Sequence, residues 1–378
     1  MKTEKVKGFN DYTGKEAEKR AVIKGIVQGV LERYGFEPAE TPIIEDRSFV
    51  KGENEKDEAV SDIYNLEDKK KRKLALRYEF TFQLKRLMKN KKLPYKRFQI
   101  GPVFRDEPVK GNRSRQFITC EADIIGSTLK DEAEVLSSIK EILEKLKINA
   151  IFYFNNRKLL NEILEEQKVR KESFEEVIRE IDKLDKISES EVKNNLKKYK
   201  AEKILDIFKQ KESYFKKYKT YLEIEQLKKY CSYYGLKIIF APFLARGLSY
   251  YNGTVFEVKT KKIKETICGG GAYMFNNIQS MGFGVSIERL ELVTNMILDL
   301  DKTLVVSLNQ DKVAINIVKK LRNKGKSVSL FYGKPSKALE YANAYRIKKV
   351  IFVGEKEVKL KKFRVKIMKT GKEKLEKL

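Results

Sequence analysis

The sequence predicts an α+β protein: a first domain built on an antiparallel sheet and broken by a helical insertion, then a small α/β domain. Three observations lead there. Residues 97–126 hold two apolar-rich runs around a polar loop with Pro, Gly and Asn, the pattern of a long β-hairpin. Residues about 160–230 are strongly charged and helical in pattern. From about Asp301, short apolar strands alternate with helical stretches. The domains are expected at 1–300 and 301–378, with 298–302 as the linker.

Each element has its own signal. Thr13-Gly14-Lys15-Glu16 has capping-box spacing. Ala17, Val22, Ile23, Ile26, Val27, Val30 and Leu31 then recur at helical spacing, and Gly35 suits a helix end. FEPAETPIIE (36–45) reads as an extended segment kinked by its prolines. Lys69-Lys70-Lys71-Arg72 is a solvated turn between two strands. In the second of these, Arg77, Glu79 and Thr81 fall on one face, with Leu76, Tyr78 and Phe80 on the other.

The hairpin carries the richest pattern. In its second strand Ile118, Cys120, Ala122 and Ile124 share an apolar face, while Phe117, Thr119, Glu121 and Asp123 share the opposite one. One face therefore sits on a core and the other offers carboxylates and a ring to a pocket. By parity Arg105 of the first strand joins the polar face. The loop between carries Lys110, Arg113 and Arg115, residues suited to phosphates.

Further on, Asn155-Asn156-Arg157-Lys158 heads a helix, and two glycine-bearing segments follow at 244–257 and 268–273. Glycine lets a backbone turn sharply or approach a ligand. Residues 282–290 read as a strand, a tight turn and a helix start. In the last domain, strands are expected at 303–308, 327–332 and 349–353, helices near 311–323 and 336–344, and a basic tail at 359–372.

Composition narrows the chemistry. Lys+Arg 81 against Asp+Glu 54 gives +27 over 378 residues, which favours a polyanionic partner. Histidine is absent, which excludes Ser-His-Asp and Cys-His catalysis and any His-ligated metal. Cys120, Cys231 and Cys268 lie far apart, so no zinc framework or disulfide scaffold is expected, consistent with a reducing, cytoplasmic setting. No apolar run has transmembrane length.

The order of residues adds a resemblance. Phe104-Arg105-Asp106-Glu107, the basic loop, Arg115-Gln116-Phe117 and Cys120-Glu121-Ala122-Asp123 resemble motif 2 of the histidyl-tRNA synthetases, a class II aminoacyl-tRNA synthetase family. The helix-then-strand pair at the start is similar to motif 1. Leu76-Arg77-Tyr78-Glu79-Phe80-Thr81 is similar to the family's Leu-Arg-x-(Glu/Asp)-x-Thr segment, and residues 282–290 to motif 3. Residues 244–257 and 268–273 resemble the two signatures particular to this family.

The resemblance implies an ATP-dependent ligase that activates histidine as an adenylate and passes it to tRNA(His), with Mg²⁺ on the nucleotide and no metal ligated by protein alone. It implies Arg105 and Arg246 as catalytic, with Glu79, Thr81, Thr119, Asp123, Tyr250 and Tyr251 on the amino acid. Arg105, Glu107, Phe117 and Arg289 would hold ATP, and Lys110, Arg113 and Arg115 would meet tRNA. It also implies a homodimer through motif 1, an insertion that grips tRNA, and a C-terminal anticodon-binding domain. Four positions depart from the family pattern: Thr119 stands for Gln, Ser249 for Asp, and Ala272 and Met274 for an Arg and an Asp. Such departures leave two other readings, a synthetase with altered specificity and an inactive paralogue serving as a regulatory or tRNA-binding subunit. Glu121 or Asn252 would be the neighbours able to compensate.

Overall fold

A computed structural model of the chain describes residues 3–52, 62–109, 111, 113–246, 250–298 and 301–377. The chain forms two compact units, Met1–Met296 and Ile297–Leu378.

In the first unit the strands run, in chain order, β1 Glu37–Pro38, β2 Ile44–Asp46, β3 Asn65–Glu67, β4 Lys73–Leu76, β5 Tyr95–Phe104, β6 Gln116–Ile125, β7 Ile151–Asn156, β8 Ile238–Phe240, β9 Tyr251–Lys259, β10 Cys268–Phe275 and β11 Ile278–Ser286. Eight of them make one sheet in the order β1-β5-β6-β11-β10-β9-β7-β8. Its six central strands are antiparallel to their neighbours, and parallel pairs close each side at β1–β5 and β7–β8. A separate small sheet, β2-β4-β3, turns at 68–72, where Asp68 accepts from the backbone N–H of Arg72 at 2.9 Å.

Alternation along the strands sorts the sheet into two faces. Cys120, Ala122 and Ile124 of β6 and Met281, Phe283 and Val285 of β11 face the main core with Ile23, Val27 and Leu31 of the helix Gly14–Arg33 and Leu136 and Ile139 of the helix Leu129–Lys145. Thr13 sits at the N-cap of the first helix but makes no capping hydrogen bond, so its capping-box spacing is not used. Gly35, at φ +77°, ends that helix with its N–H bonded to the Glu32 carbonyl.

The predicted strand 76–81 is corrected. β4 stops at Leu76: the Arg77 carbonyl accepts from the Phe104 N–H at 3.0 Å, and the Arg77 guanidinium donates to the carbonyls of Pro102 (2.9 Å) and Thr41 (2.6 Å). Those bonds bury Arg77 away from the face expected for it.

The insertion leaves the sheet after β7, a strand that the charged pattern around it hid. Helices run from Arg157–Glu166 to Tyr221–Tyr233, and the chain returns at β8. The second unit has three parallel strands, Lys302–Ser307, Ser327–Tyr332 and Lys349–Val353, with helices Asp311–Asn323 and Pro335–Ala344 between. The expected basic tail is instead a helix, Glu355–Leu360, and an antiparallel strand pair, Phe363–Ile367 and Glu373–Glu376. Phe363 and Val365 alternate with Arg364 and Lys366 and bury one face.

Candidate active site

The face of the large sheet turned from the main core lines a cavity of about 940 Å³. Glu79, Thr81, Arg105, Glu107, Arg113, Phe117, Thr119, Asp123, Arg246, Tyr250, Tyr251 and Arg289 all line it. Of the remaining predicted site residues, Arg115 does not: its backbone N–H bonds to the Gly8 carbonyl at 3.0 Å and its side chain pairs with Asp106 at 3.2 Å. Lys110 and Ser249 lie outside the described residues.

One end of the cavity is acidic. Asp123 lies opposite Arg97 in the β5–β6 register, with their charged groups 2.7 Å apart. Its other oxygen accepts from the Tyr273 hydroxyl at 2.6 Å. Gly282 makes room for this, since a Cβ there would sit 2.2 Å from Asp123 Oδ1. Glu121 accepts from the Phe80 N–H at 2.8 Å. Burial, reinforced by the charge of Glu121 and opposed by Arg105, pushes Glu79 up to about 8. Burial likewise raises Glu121, against the pull of Arg97. A cationic ligand group answers this cluster: it would favour the charged form of Glu79 and Glu121. Tyr250 packs on Tyr251 and Tyr273, with ring centroids 4.8 and 5.6 Å away, and forms an aromatic wall beside them.

The other end is cationic. Arg105 reaches from the end of β5, donates to the Tyr78 carbonyl at 3.3 Å and lies over the Phe117 ring at 5.3 Å. Arg113 pairs with Glu107 at 2.6 Å across the hairpin loop. Arg289 follows the turn from β11, where the Ser286 hydroxyl accepts from its N–H at 3.3 Å, and its guanidinium donates to the Thr266 carbonyl. Arg246 takes φ +59° and projects over Gly269, where a Cβ would fall 2.3 Å from Nη1. Its guanidinium donates to Glu257 at 3.0 Å. Burial raises Glu257, but Arg246 and Lys259 outweigh it and hold the carboxyl below its usual range.

Two of the four departures are not pocket positions. Along β10, Tyr273 faces the cavity, so its neighbours face away: Ala272 lies in the main core and Met274 is 48% exposed. Asn252 is paired with Gln279 through both amide groups, at 3.1 and 3.2 Å, and does not line the cavity. Glu121 does. Thr119 lines it too, with its hydroxyl donated to the Val285 carbonyl at 3.2 Å.

Sequence reasoning left out Arg97, Tyr273 and Glu257 as site residues. It also left out the wall formed by Arg179–Lys186 and Tyr199 of the insertion. Arg97 follows from the hairpin register: counting back from the bonded pair Arg105 and Arg115 brings it to Asp123, a pairing that a loop of this length leaves open in the sequence. The insertion's wall had no signal beyond a charged run.

Known proteins match this architecture. A family model described as histidyl-tRNA synthetase matches residues 8–290. Histidine–tRNA ligase 1 of Bacillus cereus is 33% identical over a 415-residue alignment covering 99% of this chain and 95% of the relative. The solved histidyl-tRNA synthetase of Nostoc sp. PCC 7120 superposes with a TM-score of 0.87 at 22% identity, covering 99% of this chain and 97% of that one. A Bacillus halodurans C structure described as an ATP phosphoribosyltransferase regulatory subunit/histidyl-tRNA synthetase gives 0.77 at 19% identity, over 93% and 98% of the two chains. At these identities the two structures speak to the fold alone. On the family match and the full-length relative, the chain belongs to the histidyl-tRNA synthetase family.

Proposed function

We propose that the chain is a histidine–tRNA ligase, which joins histidine to ATP as an adenylate, with loss of pyrophosphate, and passes the histidyl group to tRNA(His). One observation carries the reading: Arg105, Arg246 and Arg289, from three separate segments, converge on a cavity that also holds Glu79, Glu121 and Asp123. A bipolar substrate pair fits such a bipolar site. Glu79 would take the α-ammonium of histidine, with Thr81 beside it. Asp123 would accept from the imidazole, with Tyr250 and Tyr251 against the ring.

The reaction needs no protein nucleophile. The histidine carboxylate attacks the α-phosphorus while charge builds on the phosphoryl oxygens, and positioned guanidinium groups stabilise that charge. Arg105 and Arg246 would act on the α-phosphate, with Arg246 also aligning the carboxylate. Phe117 and Arg289 would hold the adenine, with Glu107 at its edge. Arg113 faces the same cavity and suits the incoming tRNA end, as would Lys110 and Arg115 on the loop beside it.

Among the described residues no group of three acidic or thiol side chains could hold a metal ion. Mg²⁺ typically binds through substrate phosphates and one or two carboxylates. In this reading a Mg²⁺ carried in on the nucleotide would neutralise phosphate charge.

A homodimer through the first helix and the segment 36–45 belongs to this reading. Ile43 and Ile44 are 41% and 51% exposed there. A cytoplasmic setting also belongs to it; among the described residues no helix is long and apolar enough to cross a membrane. The test is ATP–pyrophosphate exchange by the purified chain across the standard amino acids. Exchange with histidine alone is expected. Exchange with another amino acid would assign the change of specificity to Thr119 or Ser249. Silence from folded protein would move the reading to a non-catalytic paralogue.

A further inference from the structure

Two ion pairs made by the insertion, one at its first helix and one onto the catalytic sheet, both lead to Arg246. The first acts on its backbone. Glu175, in the helix Phe174–Ile181, accepts from Arg157 Nη2 at 2.7 Å. Arg157 is 3% exposed, and its Nη1 donates to the carbonyls of Ala245 and Arg246 at 3.2 and 3.4 Å. Next to it Asn155 donates to the carbonyls of Pro242 and Leu244, at 2.9 and 3.0 Å. Four consecutive-segment carbonyls are thus gripped from the strand-to-helix corner where the insertion begins. The gripped segment ends in Arg246 at φ +59°, a backbone region that residues with a Cβ seldom occupy unless their surroundings impose it.

The second acts on the side chain. Asp185, in the turn Asp182–Asp185 of the insertion, is paired with Lys259. The Lys259 ammonium lies 3.2 Å from one oxygen of Glu257, and the other oxygen of Glu257 accepts from Arg246 Nη1 at 3.0 Å. Thr266 donates to Glu257 at 2.9 Å and fixes the carboxylate plane. The chain of charges therefore runs Asp185, Lys259, Glu257, Arg246, alternating in sign at each step.

We propose that Arg157 and Lys259 are positioning residues for Arg246, and that through them the seat of the helical insertion on the sheet sets the placement of its guanidinium. The proposal rests on the ligase reading, in which Arg246 meets the α-phosphate and the carboxylate. It gives the insertion a role in the activation step itself, before any tRNA is engaged. Misplacing a reacting group by about an ångström costs on the order of a hundredfold in rate. Loosening a support that acts through one or more intervening contacts therefore costs less, but measurably. The effect falls mainly on turnover, because the acidic end would hold the ammonium and imidazole of histidine and Arg246 would meet only its carboxylate.

The test is histidine-dependent ATP–pyrophosphate exchange by the full chain, with thermal melts in parallel. Asp185 and Glu175 are about half exposed, so D185N and E175Q are expected to fold. D185N and K259Q are each expected to lower kcat about tenfold, with the histidine KM within about twofold and the melting temperature unchanged. Their double variant should be no worse than either alone, because both cut one chain. E175Q combined with D185N should be worse than either, because they cut two. K259R should restore most of the turnover. An active parent whose D185N and K259Q variants keep full kcat would overturn the positioning role and leave the ligase reading intact. So would a loss of kcat that only follows a loss of thermal stability, or a rise in the ATP KM alone, which marks Asp185 and Lys259 as nucleotide contacts. A parent silent with histidine would overturn the ligase reading and the positioning role with it.

Discussion

Asp123 and Arg97 face each other across β5 and β6 with their charges 2.7 Å apart, and neither side chain is more than 5% exposed. The Arg97 guanidinium also donates to the Phe80 carbonyl at 2.9 Å, so one buried cation holds both the acid and the loop that carries Glu79. Removing one member of such a pair strands the other charge away from water, at a cost of about 3–5 kcal/mol. R97M is expected to lose stability on that scale in urea unfolding. The R97M/D123N double variant should regain part of it, since one of the two carboxylates beside Arg97 is gone and Glu121 remains. D123N alone leaves Glu121 beside the Arg97 charge, so it should lose less stability than R97M, and it should raise the histidine KM in pyrophosphate exchange while the ATP KM stays put. A D123N enzyme with an unchanged histidine KM would remove Asp123 from the imidazole site.

Glu79 predicts a proton. Burial, followed by the neighbouring charge of Glu121, holds its folded value near 8, so at pH 7 the empty site keeps it mostly protonated. An ammonium bound there favours the ionised form and drives the proton out. Histidine binding should therefore release protons near pH 7 and tighten as pH rises through 8. Calorimetry in buffers of different ionisation enthalpy reads the proton directly. The Glu79→Gln variant should release fewer protons than the parent, with a shallower pH dependence, and should bind histidine weakly. Proton uptake on binding would contradict the assignment.

The site was legible where a local rule governed it and hidden where distant contacts did. Alternation in β6 separated Phe117, Thr119, Glu121 and Asp123 from the core residues between them, because a strand offers one face to each side. The same rule failed at Arg77. Its guanidinium is drawn to the carbonyls of Thr41 and Pro102, and the strand ends before it. Glu79 and Thr81 still reach the cavity, but from a loop. Ala272 and Met274 looked like pocket changes by position in a motif, and the pleat of β10 turns both away. Residues 179–186 line the cavity from the insertion, where Asp185 pairs with Lys259 of β9, 74 positions along the chain, and no local pattern announces such a pair.

Gly282 predicts a steric lock on the amino-acid end. Its missing side chain leaves space for Asp123, whose oxygens are already fixed by Tyr273 and Arg97 and cannot swing aside. G282A should shift Asp123 or the β11 backbone, with a cost of about 1–3 kcal/mol typical of overpacking. The histidine KM should rise more than the ATP KM. Gly284, where a Cβ would have 3.5 Å to Glu121, is the control: G284A should be milder in both measurements.

Glu132 predicts a pH dependence of stability that owes nothing to the cavity's own acids. It lies within the helix Leu129–Lys145, is 6% exposed, and one of its oxygens has no hydrogen-bond partner. Burial pushes its folded value up to about 7, with Thr254 pulling the other way. An unfolded chain ionises the same group near its ordinary value, so the folded state holds the extra proton between the two. The stabilisation from the neutral acid is complete below about pH 4 and is lost as pH rises to about 7. Its size follows from the separation of the two values, on the order of 3 kcal/mol as an upper bound. E132Q keeps the shape and removes the titration. It should therefore unfold at higher urea than the parent at pH 8 and at nearly the same urea at pH 4.5. Equal midpoints at both pH values would show that Glu132 finds a partner for its charge in solution.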